Sequence, residues 1–199
     1  IFGAVAAIGQ FNLKRLIAYS SIGHMGYALA GLASGTNQGI QSSVIYISIY
    51  LAMTLAFFSC LFMLRKKNIF YEKIEDLSGL SSNHPILSIA LLIVLFSLAG
   101  IPPLAGFFAK MYVFFSAMEA SMYTLAIVGV LTSCVGAYYY IRLIKIMFFE
   151  KTATWNLYTP LDREKSLLLA FTTLFIMFFF AYPNPLLIAT HKMALVLCL

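Results

Sequence analysis

The chain has 199 residues, 62% hydrophobic and 10% charged, with thirteen Lys and Arg against seven Asp and Glu for a net charge of +6. Soluble domains are usually about 45–50% apolar and about 25% charged. A soluble fold of this size would still expose about 30% of the surface of its unfolded chain, so the composition excludes a soluble enzyme, a DNA reader and a disordered tail. The basic residues lie in short connectors between apolar runs, which points to a bilayer protein with no nucleic-acid partner.

A helix needs about 20 apolar residues to cross a hydrocarbon layer of about 30 Å. Residues 1–11 are too short and read as the tail end of a span. The opening at Ile1, inside an apolar run and without Met, reads as a truncated chain or one piece of something larger. Residues 13–34 form a full span that starts at Lys14 and Arg15, followed by the tight polar connector 34–39. Residues 40–64 form the next span, and 65–83 a long polar loop. Residues 85–115 would measure about 46 Å as one straight helix, too long for one span, and are predicted to break near 100–104. Residues 121–149 form a span that runs into a basic end, 151–165 a polar loop around Pro160, and 166–183 the last complete span. Beyond Pro183 and Pro185, residues 186–199 read as a short interfacial helix or a frayed extension. No run of about ten residues alternates in polarity as a membrane barrel requires. The expectation is one all-α membrane domain over 1–199, polytopic, with about five full transmembrane helices, a partial N-terminal one, and one of the five discontinuous.

Connectors on the cytoplasmic or matrix side carry the excess of Lys and Arg. If the spans alternate, Lys14, Arg15, Arg65, Lys66, Lys67, Lys73, Arg142, Lys145, Lys151, Arg163 and Lys165 fall on one side, and the opposite connectors 34–39 and 116–121 contain none. Lys192 lies past the last span. Lys110 remains, inside the apolar run 104–115.

A lysine at mid-membrane costs about 2.5–3.5 kcal/mol on insertion scales and usually marks an ion path; the other reading is a long side chain snorkelling to the interface. Its neighbourhood favours the first. Gly100, Pro102 and Pro103 interrupt the span, because each proline removes a backbone donor and pushes the preceding residue away from helix. Irregular backbone at membrane depth is tolerated only where protein buries it or water reaches it. The carbonyls that end the first half and the N–H groups that start the second can hold water beside Lys110, and the positive start of the second half disfavours an ammonium there. A plain proline kink is the alternative. Ser20, His24 and Tyr27 share one helical face. His24 reads either as a proton relay, since imidazole gives and takes protons near neutrality, or as a neutral residue gluing helices. Ser43, Tyr46, Tyr50 and Thr54 form a second polar stripe, for which pathway lining competes with packing. Tyr138, Tyr139 and Tyr140, just before Arg142, read as an interfacial aromatic belt. Cys60, Cys134 and Cys198 share no metal spacing, and Cys60 and Cys134 read as buried thiols. No phosphate loop, Cys/His cluster or nucleophile–base pair is visible, so no catalytic residue, metal or bound cofactor is expected.

Residues 12–27, NLKRLIAYSSIGHMGY, resemble the signature opening a mid-chain helix of the antiporter-like subunits of respiratory complex I. Residues 98–110, LAGIPPLAGFFAK, are similar to their broken helix near the C-terminus. Asp162-Arg163, residues 165–170 (KSLLLA) and residues 190–195 (THKMAL) resemble the subunit 2 branch of that family in non-animal mitochondria. The resemblance implies the last five of fourteen transmembrane helices plus the end of the ninth. It places Lys14 and Arg15 at the matrix-side start of the tenth, Lys110 on the discontinuous twelfth, and the C-terminus in the intermembrane space. The larger members carry a histidine and lysine motif on the eleventh helix, where this chain reads AMTLAFFS over residues 52–59. The glutamate of the family's fifth helix and the lysines of its seventh and eighth have no counterpart in this sequence, so the chain alone would not be a complete proton path.

The function implied is proton translocation in the membrane arm, through Lys110, His24, Tyr50, Thr54 and Ser20. NADH, FMN, iron–sulfur clusters and ubiquinone would sit elsewhere in the complex. The implied partners are the N-terminal half of the subunit (separate or omitted), neighbouring antiporter-like subunits and lipids. The implied location is the mitochondrial inner membrane, or a bacterial plasma membrane. A subunit of a multi-subunit cation/proton antiporter and a structural packing piece are the competing readings.

Overall fold

Two side chains set the starts of two long helices. The Asn12 carboxamide accepts from the N–H groups of Lys14 (3.0 Å) and Arg15 (3.3 Å), and the Thr36 hydroxyl accepts from Gly39 N–H at 3.1 Å. Each satisfies helix-start donors that would otherwise lack partners. In the computed structural model, which describes residues 1–66, 69–70, 73–150 and 163–197, they open α2 (Leu13–Ala33) and α3 (Asn37–Met63), preceded by α1 (Phe2–Ile8). A two-residue antiparallel ladder follows, β1 (Arg65–Lys66) with β2 (Ile69–Phe70), then a 3₁₀ turn at Ile74–Leu77 and the single-turn α4 (Leu80–Asn83). The rest is helical: α5 (Pro85–Ala99), α6 (Ala105–Glu119), α7 (Tyr123–Phe149), α8 (Arg163–Phe178) and α9 (Asn184–Leu197). Lys67, Lys151, Pro160, Asp162 and Cys198 lie outside the described residues.

The fold class is all-α. Helix α3 is the hub, packed against α2, α5, α6, α8 and α9, while α7 covers α5 and α1 leans on α2 and α7. Tyr46, Ile49, Met53, Ala56, Phe57 and Cys60 line its inner face, all buried, at the three- and four-residue spacing that keeps one helix face turned inward. The outer faces are equally apolar: Leu51, Leu55, Ile127, Leu131 and Phe171 are exposed. Helices that are hydrophobic all round need an apolar exterior as well as an apolar core, which a bilayer supplies. By length and composition alone α3 and α7 are long enough to cross a membrane, at 27 residues each, and α5 is a shorter apolar helix.

Several local features differ from the sequence reading. The stretch 65–83 is not a plain loop. Asp76 accepts from Lys73 N–H at 2.9 Å to form the 3₁₀ turn, and Ile74 N–H donates to the Phe11 carbonyl at 3.0 Å, tying it to the α1–α2 connector. Of the two readings for the segment after Pro185, the helix is the one observed, and its Leu186 and Leu187 pack on the core. Cys60 is buried, but Cys134 is exposed on the outside of α7, because α7 turns its Ser133–Gly136–Tyr140 side inward instead.

The break between α5 and α6 begins at Gly100, not at the prolines. Gly100 has φ +88, its N–H donates to the Ser97 carbonyl, and Ile101 N–H donates to the Phe96 carbonyl, each at 3.0 Å. That pair of bonds around a left-handed residue is a helix terminator in which glycine is favoured. Pro102 and Pro103 then carry the chain across to α6 without needing N–H partners. Past the break α6 passes so close to α5 that a Cβ on Gly106 would overlap the Ser97 carbonyl. Gly106→Ala is therefore expected to reduce the amount of assembled protein strongly, read on a native gel of membrane extracts. Gly9→Ala, where a Cβ meets nothing within 4 Å, is expected to leave it unchanged.

Candidate functional site

Lys110 belongs to α6 but its ammonium serves α5. A helical side chain leans toward the N-terminus of its own helix, so the Lys110 stem runs back over the break, and the residue is only 6% exposed. Its Nζ donates to the carbonyls of Ala99 (2.8 Å) and Leu98 (3.2 Å) and to the Ser133 hydroxyl of α7 (2.9 Å). It also sits 5.5 Å from the centroid of the Tyr27 ring, within range of a cation–π attraction. Three N–H groups meet three oxygens, and no carboxylate is among them. The last carbonyls of a helix carry its negative dipole end, which favours a cation. This reverses two expectations: the α5 carbonyls are bonded to the ammonium itself rather than to water, and the charge lies at the favourable end of α5 rather than at the unfavourable start of α6. Gly100 makes room for it, since a Cβ there would lie 3.0 Å from Nζ and from Cδ. The Ser97 hydroxyl accepts from Gly106 N–H at 3.0 Å, so a side chain of α5 satisfies one early donor of α6. Pro102 and Pro103 are exposed at the outer edge of the break.

His24 is 3% exposed and hydrogen-bonded at both nitrogens. Nδ1 pairs with the Tyr46 hydroxyl at 2.7 Å and Nε2 with the Tyr140 hydroxyl at 3.1 Å. The Tyr140 hydroxyl also pairs with that of Ser20. The result is a buried run Tyr46–His24–Tyr140–Ser20 across α3, α2 and α7, in which every group can both donate and accept. Ser20, His24 and Tyr27 do lie together on the buried face of α2. Tyr27 stands between the histidine and the lysine: its ring centroid is 6.2 Å from the imidazole, and its hydroxyl pairs with Thr132 at 3.2 Å. No hydrogen bond joins Lys110 directly to His24. Both line one small cavity of about 10 Å³ with Ser20, Tyr27, Thr132 and Tyr140, close to the minimum that holds one water.

Other expected residues stand apart. Tyr50 stacks on His24 with centroids 4.7 Å apart, but its hydroxyl donates to Ser21 at 2.9 Å, off the buried run. The Thr54 hydroxyl donates to the Tyr50 carbonyl of its own helix, and Thr54 lines an apolar outer groove with Met25, Leu51 and Phe58. Ser43 is used in packing, donating to the Ala28 and Gly39 carbonyls at 2.8 and 3.0 Å. Lys14 and Arg15 are exposed at the start of α2. The aromatic belt reading fails for Tyr139 and Tyr140, which are buried, while Tyr138 is exposed. Thr132, Gly136 and Tyr140 recur at four-residue spacing, the signal in the sequence that marks this inward face of α7. Among the described residues no group of three or more His, Cys, Asp or Glu could hold a metal ion.

Residues 1–136 match the family model described as NADH:quinone oxidoreductase/Mrp antiporter, TM. The chain is 60% identical over 191 residues to NADH-quinone oxidoreductase subunit N of Pelagibacter ubique, covering 94% of this chain and 40% of that protein. It is 55% identical over 199 residues to NADH-ubiquinone oxidoreductase chain 2 of Marchantia polymorpha, covering 100% of this chain and 40% of that protein. It therefore spans about two fifths of the length of these relatives. Among solved structures, a chain of respiratory complex I from Thermus thermophilus with bound aureothin superposes with a TM-score of 0.77 at 32% identity, over 93% of this chain and 42% of that one. A match over most of the chain and relatives at such identity lead to one conclusion: the chain belongs to the NADH:quinone oxidoreductase/Mrp antiporter transmembrane family.

Proposed function

We propose that this chain is part of a proton-translocating membrane-arm subunit of respiratory complex I, with Lys110 as its proton-storing group. The observation that carries this reading is the Lys110 ammonium, buried with only neutral partners at the end of an interrupted helix. Burying an uncompensated charge is costly, and packing α5 against α6 does not require one. A group that must gain and lose a charge does. On losing its proton the amine keeps two N–H groups for three acceptors, so the third bond is lost and the stem is freed to move. The run Tyr46–His24–Tyr140–Ser20 supplies the second half of the mechanism. A neutral imidazole donates at one nitrogen and accepts at the other, so a proton entering at one end of the run leaves at the other as each hydroxyl and the imidazole exchange roles. The small cavity between Lys110 and His24 supports a link through one water.

In this reading NADH, FMN, iron–sulfur clusters and ubiquinone belong to other subunits, and oxidoreduction reaches this chain only as an electrostatic or conformational signal. Its partners are the remainder of its own subunit, the neighbouring antiporter-like subunits and lipids, in the mitochondrial inner membrane or a bacterial plasma membrane. The basic connector ends Lys14 and Arg15 face the matrix or cytoplasm by the distribution of positive charge. A second reading, a subunit of a multi-subunit cation/proton antiporter, is favoured by the family description, which spans both assemblies. The names of the relatives above 50% identity favour the first.

Lys110→Met keeps the stem and removes the charge. It is expected to abolish most proton pumping at an unchanged amount of assembled complex, measured as fluorescent-dye quenching in vesicles driven by NADH. Lys14→Met is expected to cause the smaller loss; equal losses would contradict the assignment. Tyr140→Phe retains the ring but cuts the run between His24 and Ser20, and is expected to slow pumping by about a hundredfold, the lower end for loss of one positioned proton-transfer group. Thr54→Ala, outside the run, is expected to pump at the wild-type rate in the same assay.

A further inference from the structure

The partners of Lys110 form a site with a shape of its own. The Leu98 and Ala99 carbonyls and the Ser133 hydroxyl converge on one point from α5 and α7, at 3.2, 2.8 and 2.9 Å, with the Tyr27 ring at 5.5 Å. All three oxygens have lone pairs to offer. Two of them are carbonyls left open by the end of α5, so they cannot be satisfied by rotating a side chain away. Gly100, held at φ +88, keeps the approach clear, because a Cβ there would fall 3.0 Å from the ammonium. We propose that this cradle is a binding site for one small primary ammonium ion, which Lys110 fills from its own chain as a tethered occupant.

The selectivity follows from number and charge. Three converging acceptors match the three N–H donors of a primary ammonium, and the aromatic face adds attraction for a cation. Mg²⁺ demands a near-octahedral set of oxygens and normally a carboxylate, whereas this cradle offers three neutral oxygens. Neutral ligands alone compensate a single charge through the α5 dipole and offer nothing further to a double one. The site is therefore built for a charge, and the four-carbon stem of Lys110 is its means of delivery. Whether the occupied site serves pumping rests on the reading given above; whether it binds does not.

Lys110→Ala deletes three methylenes and the ammonium, which are together the atoms of n-propylammonium. The neutral amine crosses a bilayer and reprotonates inside. Assembled complex carrying Lys110→Ala, in nanodiscs with potassium chloride present, is titrated with radiolabelled n-propylammonium and bound label is counted after equilibrium dialysis. Lys110→Ser is titrated beside it, so that failure of one small replacement to assemble leaves the other. The expected result is saturable binding of one ion per copy, weakened about tenfold by adding Ser133→Ala, as for loss of one hydrogen bond to a charged group. Lys110→Met, whose side chain fills the approach, is expected to bind none. Equal uptake by the Ala and Met variants, or no uptake by both the Ala and Ser variants, would overturn the proposal. Pumping is measured in parallel: binding without any recovery of pumping leaves the cradle standing and counts against the relay role of Lys110.

Discussion

In a hydrocarbon layer every backbone N–H and C=O needs a partner inside the protein, and a helix that stops halfway leaves several without one. A lysine at that depth has the opposite deficit, three donors and no acceptor. Here each deficit fills the other: the Leu98 and Ala99 carbonyls receive the Lys110 ammonium. Each feature lowers the cost of the other. The break without the lysine exposes carbonyls to an apolar interior, and the lysine without the break is a charge in oil. Much of the surrounding sequence serves that exchange. Gly100 ends α5 and leaves space for Nζ, Gly106 lets α6 start against the Ser97 carbonyl, and Ser133 and Tyr27 close the cradle from α7 and α2.

The rest of the polar interior is arranged beside this pair. Helix α3 lends Tyr46, α2 lends Ser20 and His24, and α7 lends Tyr140, so one hydrogen-bonded run ties the consecutive pair α2 and α3 to α7, far along the sequence. Such a run is satisfied at each point, which is the condition under which polar groups in a core specify an arrangement rather than weaken it. It is also directional in only one sense at a time. A neutral imidazole fixes which neighbour donates, and changing tautomer reverses the whole series. Tyr27 separates this run from the ammonium with a ring that touches both while hydrogen-bonding to neither, its hydroxyl being turned to Thr132.

The all-helical class was legible in composition and span length, because apolar runs of about 20 residues have few other uses. The common face of Ser20, His24 and Tyr27 was legible from spacing alone. Tyr140 was not, because three consecutive tyrosines before an arginine fit an interfacial belt, and only the rotation of α7 decides which of them turn inward. Thr54 misled for a related reason. Steps of four residues drift about 40° per step on a helix of 3.6 residues per turn, so a stripe that starts inward at Tyr46 has rotated to the outer groove by Thr54. The direction of Lys110 was hidden by counting along the chain. Its place on α6 suggested the start of α6 as its environment, whereas the backward lean of a helical side chain carries the charge to the end of α5.

The α1–α2 connector is held by residues that are made much later. The Phe11 carbonyl accepts from Ile74 N–H at 3.0 Å, and Asn12 forms a backbone bridge with Lys73. Arg142 donates to the Ile8 carbonyl at 3.4 Å and lies over the Phe11 ring at 5.6 Å. A chain emerging from a ribosome at about 5–20 residues per second reaches Arg142 on the order of ten seconds after Phe11. During synthesis, then, the α1–α2 connector acquires its contacts only after residues 73, 74 and 142 have been made, and the seat of α1 against α7 is completed long after α1 itself.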